Sequence, residues 1–430
     1  MTQDLLKFLD ESTCCFTAAA NIVRRLEAAG FKRLDMRDKW PILHVGSKYY
    51  VTKNDSAVFA FIVGSQPEAG YKIISAHSDS PCFRVKPHPE MFSEGGIVRL
   101  NTEVYGGPIL YTWFDRPLSL AGRVVLRSDD PMNPLTRIID LNRPLMAIPH
   151  LAIHFNRGVN DGNPLSRQRD MMPVLGRLKD DCEKNNLLIN LLAEHIGCEV
   201  ADILDFDLCT YPVEKAMLFG LDNEFLSSGR IDDLEMVHCA LCALIDSAKA
   251  SANQRMTRVM AIFDNEETGS GTKQGAASPV LRSILERVNK ALGGCHDHFL
   301  RGVAASFMIS ADNGHGLHPN YESKQDPTNH PIPGNGPVIK SNANCKYMTD
   351  ADSAAVFRGI CERAGVPVQT FVNNSDIAGG STLGNILTSQ IELRGVDMGA
   401  PQWAMHSCRE TAAVADHLYT LRAFTEFYNL

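Results

Sequence analysis

The sequence predicts an α/β protein whose main domain is interrupted by a β-rich insertion. Three observations carry this reading. From residue 232 onward, helix-like runs alternate with apolar strand-like runs, the pattern of a domain built on a mixed, largely parallel sheet. Between 92 and 231, glycine and proline are frequent and short strand-like pieces dominate. Residues able to do chemistry stand at the ends of apolar runs on both sides of that stretch, so one discontinuous domain, 1–91 with 232–430, is expected around an insert at 92–231. A chain of 430 residues is also long for a single core.

The elements follow in order. Leu5, Phe8 and Leu9 open an amphipathic helix that continues through 17–26. Strands are expected at 41–45, 48–52, 57–63 and 72–76. In the insert, 97–100 and 122–126 read as strands, and 156–169 is polar and poorly patterned. After it come a helix over 235–249 and strands at 258–263, 304–309, 368–372 and 391–397. There is no internal repeat and no low-complexity linker.

Composition narrows the class. Charged residues at 21% and hydrophobic residues at 44% describe a soluble globular protein, and the net charge of −8 argues against nucleic acid or anionic membrane as a partner. The first residues lack a basic segment followed by an apolar core, and no apolar run approaches the length of a membrane span, so a cytoplasmic protein is expected. The twelve cysteines lack paired spacing, which suits reduced thiols. The close pair Cys239 and Cys242 falls inside an apolar helical run and reads as helix core. Gly269 to Gly275 lacks the register of a phosphate loop, and small residues there suit a tight strand-to-helix turn. Asn373-Asn374-Ser375 is formally a glycosylation sequon and reads as a loop.

The most informative stretch is Phe263-Asp264-Asn265-Glu266-Glu267, closing the apolar run 258–262. Adjacent carboxylates at the end of a buried strand cost several kcal/mol per ion unless something pairs them. A metal ion does so, and the two neighbours can then divide the labour, one binding the cation and one acting on its water as a base. His77-Ser78-Asp79 ends another apolar run, with a carboxylate placed to orient the imidazole. Asp232-Asp233, Asp312 and His406 occupy comparable strand-end or loop positions. Two histidines with Asp and Glu suit borderline-hard divalent ions, zinc first. No His-Glu-x-x-His is present, and the ligand count fits two metals sharing one carboxylate.

With these motifs in order, the chain resembles the M18 metallopeptidases, the group of aspartyl aminopeptidase and vacuolar aminopeptidase I. The resemblance runs from His77-Ser78-Asp79-Ser80-Pro81 through Trp113-Phe114-Asp115-Arg116, 149–154, Asp264-Asn265-Glu266-Glu267 and His318-Pro319-Asn320-Tyr321 to 405–410. It implies a zinc-peptidase catalytic domain with an inserted dimerisation domain. It further implies two zinc ions per subunit, with manganese or cobalt able to substitute: His77 and Asp312 on one, Glu267 and His406 on the other, and Asp232 bridging. Glu266 would be the general base, Asp79 would orient His77, and the peptide Asp232–Asp233 would be cis.

The resemblance also implies removal of single residues from the free N-terminus of peptides, acidic ones preferred, with His315 and Lys340 facing the first side chain. At 377–379 the chain has Ile-Ala-Gly where the animal aspartyl type carries a Pro-Cys pair, which bears on how strict that preference is. Assembly into dimers, and of dimers into a tetrahedral dodecamer, is implied as well, with His154, or alternatively His150, entering a neighbour's active site. Three alternatives stand beside this: a neutral-residue aminopeptidase of the same family, a di-zinc hydrolase of N-acyl amino acids or dipeptides, and a catalytically silent assembly protein. The last requires a lost ligand or base, and neither is lost here.

Overall fold

The computed structural model describes residues 1–178, 186–249 and 255–430. The chain divides into two compact units. The first comprises Met1–Asp79, Ala216–Met405 and Glu410–Leu430, and the second comprises Ser80–Lys215 with His406–Arg409.

The first unit is built on a nine-stranded mixed sheet. Its centre is four mutually parallel strands in the order Thr257–Phe263, Tyr71–His77, Phe307–Ala311 and Gly395–Gly399. Antiparallel neighbours flank them, Ala57–Ile62 on one side and Val338–Ser341 on the other. The four parallel strands are buried along their whole length and mostly apolar because both faces are covered. Ala60, Ile62, Ile74, Met260, Ile262 and Ile309 face a core shared with Thr2–Glu11, Cys15–Ala28, Ile231–Ser247 and Val414–Asn429. Phe59, Phe61, Ile73, Val259 and Phe263 face the other core, under Val280–Ala291 and His296–Ala304. The parallel register sets Phe263 beside His77 and Ala311 beside Met398, so all four strands end at one edge.

A smaller five-stranded sheet in the same unit carries Gly314–His315 and Glu410–Ala413. The second unit is a six-stranded antiparallel sheet, from Leu135–Asp140 at one edge to Val174–Arg177 at the other, accompanied by the helix Leu187–Ile196.

Four expectations need correction, the first being the run 391–397, where the strand is Gly395–Gly399. Residues 41–45 form no strand: Pro41 has no N–H to donate, and Ile42 is 75% exposed. The opening helix is two, Thr2–Glu11 and Cys15–Ala28, and the second starts where the Cys14 N–H donates to Thr17 Oγ1. Of the 304–309 run, the first residue closes the helix His296–Ala304, and the strand is Phe307–Ala311. Cys239 and Cys242 lie on the helix Ile231–Ser247, both as thiols and Cys239 fully buried. Among the described residues, no helix is long and apolar enough to cross a membrane.

Candidate metal centre

The edge where the parallel strands end gathers the charged residues. His77 is the last residue of its strand and is 1% exposed. Its Nε2 lies 3.3 Å from Asp232 Oδ1, and its Nδ1 lies 3.0 Å from the backbone carbonyl of Asp79. The Asp79 carboxylate, 3.5 Å from the same Nδ1, accepts the N–H groups of Glu266 and Glu267 at 3.1 and 3.2 Å. Asp79 therefore ties the His77 loop to the turn that carries both glutamates. That turn begins at Asn265 in the left-handed region (φ 63°), its side-chain oxygen held by Thr272 Oγ1 and Gln274 Nε2, each at 2.8 Å. The peptide Asp232–Asp233 is cis, as expected.

Each member of that pair has its own anchor. The Asp232 N–H donates to Glu410, while the Asp233 carboxylate accepts the N–H groups of His77 and Asn313. Asp312 follows the strand Phe307–Ala311, and its N–H donates to the carbonyl of Met398. Gly399 permits that approach, because a Cβ there would fall 1.8 Å from the Asp312 carbonyl oxygen.

Ligand atoms of His77, Asp232, Asp233 and Asp312 all lie within 4.8 Å of one another, and so do those of His77, Glu266 and Glu267. Burial raises the Glu266 carboxyl to about 8, opposed by His77 and reinforced by Asp312, Asp79 and Asp232. It pushes Glu267 and Asp233 up as well, each with neighbouring carboxylates adding to the shift. Burial opposes charge on His77 too, yet Asp233, Asp232 and Asp79 outweigh it and hold its pKa well above the ordinary value. So many acids around one imidazole make a set that needs further positive charge, and imidazole with carboxylate oxygen is the donor chemistry of zinc. The residues fit a divalent metal.

Lys340 and His315 sit differently. The Lys340 side chain is 5% exposed, with Nζ 3.3 Å from Asp312 Oδ1 and 2.9 Å from the Asn313 carbonyl. His315 is exposed on the strand Gly314–His315, its ring 6.1 Å from that of Phe371. His406, His150 and His154 belong to the second unit. The Nδ1 of His406 lies 3.1 Å from the Gly107 carbonyl. His150 stacks on Phe114 and meets the Asp115 carboxylate at 2.8 Å, whereas His154 is exposed.

Sequence reasoning gave no role to the side chains of Asp233, Glu235, Asn313 and Glu410, which lie around the site as supports. Asp233 stands beside Asp232 and Glu410 closes the last motif, so each carried a signal. Glu235 and Asn313 carried none, being 78 residues apart and joined only by the fold.

A buried cluster of imidazole and carboxylates at the carboxyl edge of a covered parallel sheet is the site of a metal-dependent hydrolase. The family described as aminopeptidase I zinc metalloprotease (M18) matches residues 8–428. A probable M18 family aminopeptidase 2 of Clostridium novyi is 49% identical over 99% of this chain and 98% of its own length. Among solved structures, Ape4 in its complex with Nbr1 is similar at TM-score 0.95 and 34% identity, over 99% of this chain and 85% of that one. The S. cerevisiae mApe1 dodecamer subunit is similar at 0.86 and 26%, over 99% and 95%. The chain belongs to the M18 family and is a metallo-aminopeptidase.

Proposed function

We propose that this aminopeptidase removes single residues from the free N-terminus of peptides, Asp and Glu preferred, with two zinc ions per subunit that manganese or cobalt can replace. In this reading His77 and Asp312 would hold one ion and Glu267 and His406 the other, with Asp232 shared between the two. Bound zinc would supply Lewis acidity toward the scissile carbonyl and ease the ionisation of an attacking water. Glu266 takes the proton of that water on a carboxylate oxygen and returns it to the departing amine. Asp79 aims Glu266 by holding its N–H, and the buried carboxylates offer partners to the substrate's α-ammonium. The observation that carries the reading is the gathering of Asp232, Asp312, Glu266 and Glu267 around one buried imidazole.

The acidic preference rests on Lys340 and His315. The Lys340 ammonium meets Asn313 and Asp312 and lies 5.9 Å from the centre of the Tyr347 ring, and in this reading it also takes the substrate carboxylate. The same pairing with Asp312 favours a second reading, in which Lys340 only steadies Asp312 and neutral residues such as Leu or Met are preferred. Aminoacyl-naphthylamides and their N-acylated equivalents, offered to zinc-reconstituted protein, separate the cases. Asp and Glu compounds are expected to be cleaved fastest and N-acylated ones not at all. Leu or Met in first place would establish the second reading, and cleavage of N-acylated compounds would make the protein an acyl hydrolase.

The dodecamer of the similar S. cerevisiae subunit supports self-assembly here, through dimers. In the second unit Leu151, Ile153 and Phe155, on either side of His154, are each more than half exposed. That apolar stretch suits a face between copies of this chain, with His154 serving the neighbour's centre. A cytoplasmic location is part of the same reading, and the net charge of −8 favours neither nucleic acid nor anionic membrane as a partner.

A further inference from the structure

Next to the candidate metal centre lies a set of buried polar side chains joined by hydrogen bonds. Glu235 projects from the helix Ile231–Ser247 and is 0% exposed. Its Oε2 accepts the side-chain amide of Asn313 at 2.8 Å, and the carbonyl of Ala400 lies 3.2 Å from the same nitrogen. An amide nitrogen has two donors, so these two acceptors take up both N–H groups of the Asn313 side chain. Its main chain is what the site uses. The N–H holds Asp233, whose carboxylate also takes the His77 N–H, and the carbonyl holds the Lys340 ammonium at 2.9 Å.

We infer that Glu235 is a positioning residue, which clamps the Asn313 side chain and thereby fixes the carbonyl that aims Lys340 at an acidic first side chain. Without the clamp, a buried amide donor loses its acceptor and the peptide turns to find another, taking the ammonium with it. A shift of about 1 Å at an ion-pairing group costs much of its value, because such contacts are steep in distance and angle. The inference rests on the reading of Lys340 given above.

The test uses the zinc-reconstituted enzyme and three substitutions. Glu235→Leu fills the space without an acceptor, Glu235→Gln keeps one, and Asn313→Ala removes the clamp from the other side. Glu235→Leu and Asn313→Ala are expected to raise KM for Asp and Glu substrates about tenfold, with neutral substrates changed by about threefold at most and zinc content as in the parent. Glu235→Gln is expected to restore KM to within about threefold. In a Lys340→Met background, Glu235→Leu should cost acidic substrates less than about a further twofold, because both act on one contact.

Additive losses in that double variant, or a Gln variant as impaired as Leu, would overturn the inference. Failure of the Lys340 reading looks different: Lys340→Met alone would then reduce acidic and neutral substrates equally. If Glu235→Leu does not fold, Asn313→Ala decides. Equal losses for both substrate classes in that variant make the clamp merely structural.

Discussion

Burial governs the charge balance at the level of single residues. Without metal, Glu266 has its pKa raised from the ordinary 4.5 to about 8, and Glu267, Asp233 and His77 are raised as well. A group whose folded pKa lies above its unfolded one stabilises the fold below the unfolded value and loses that contribution as pH rises through the folded value. All four act in the same direction. Metal-free protein should therefore lose thermal stability between about pH 6.5 and pH 8, above the range in which the buried His238 and His417, with lowered pKa, act the opposite way, and added zinc should raise the melting temperature most at the upper end. Melting curves of chelated protein across that range provide the check, and a midpoint that climbs with pH would contradict it.

Lys340 gives the second expectation at this scale. If it contributes a charge-assisted contact, Lys340→Met should lower kcat/KM for Asp and Glu substrates about 10- to 150-fold and leave Leu substrates near the parent value. Lys340 entered through the family resemblance, as a cation facing the first side chain after the apolar Pro337-Val338-Ile339. Its pairing with Asp312 and with the Asn313 carbonyl depends on strand register, and no spacing along the chain reveals it.

At the scale of elements, the site exists because parallel strands stop together. Runs 258–263 and 72–76 were legible because strands covered on both faces are mostly apolar, and each is followed within a few residues by one that the site uses, Glu266 and His77. The run 41–45 is also mostly apolar but has a proline at its head and exposed Ile42 and Val45, so only Leu43 packs, from a loop. What stayed hidden is the cross-strand traffic: Asp79 holding the Glu266 turn, and Asp233 bridging His77 to Asn313. Gly399 is the glycine on which this traffic depends most. Gly399→Ala places a methyl group against the Asp312 carbonyl, which should cost about 1–3 kcal/mol of stability and weaken zinc retention, measured by denaturation and metal analysis. Retained stability and full zinc would mean that the two strands can part without disturbing Asp312.

For the whole molecule, the interrupted α/β plan was legible from composition, with changes of character near 92 and 231. The structure divides at Asp79 and Ala216, because the antiparallel sheet of the second unit begins with the strand Cys82–Ser93, which lies next to a site motif in sequence. The proposed assembly has its own check. Sedimentation of wild type should give a multiple of the subunit mass, and His154→Ala should keep that mass while losing activity; a fully active His154→Ala assembly would remove His154 from the site.

The division of labour between Glu266 and the metal ligands is the centre of the account, and Glu266→Gln tests it most directly. Zinc per subunit and turnover are measured on one preparation of that variant beside wild type. The expected result is two zinc ions in both proteins and a kcat lower by about 10²- to 10⁴-fold in the variant. Near-normal turnover with both ions bound would contradict the account, since the proton would then have another acceptor.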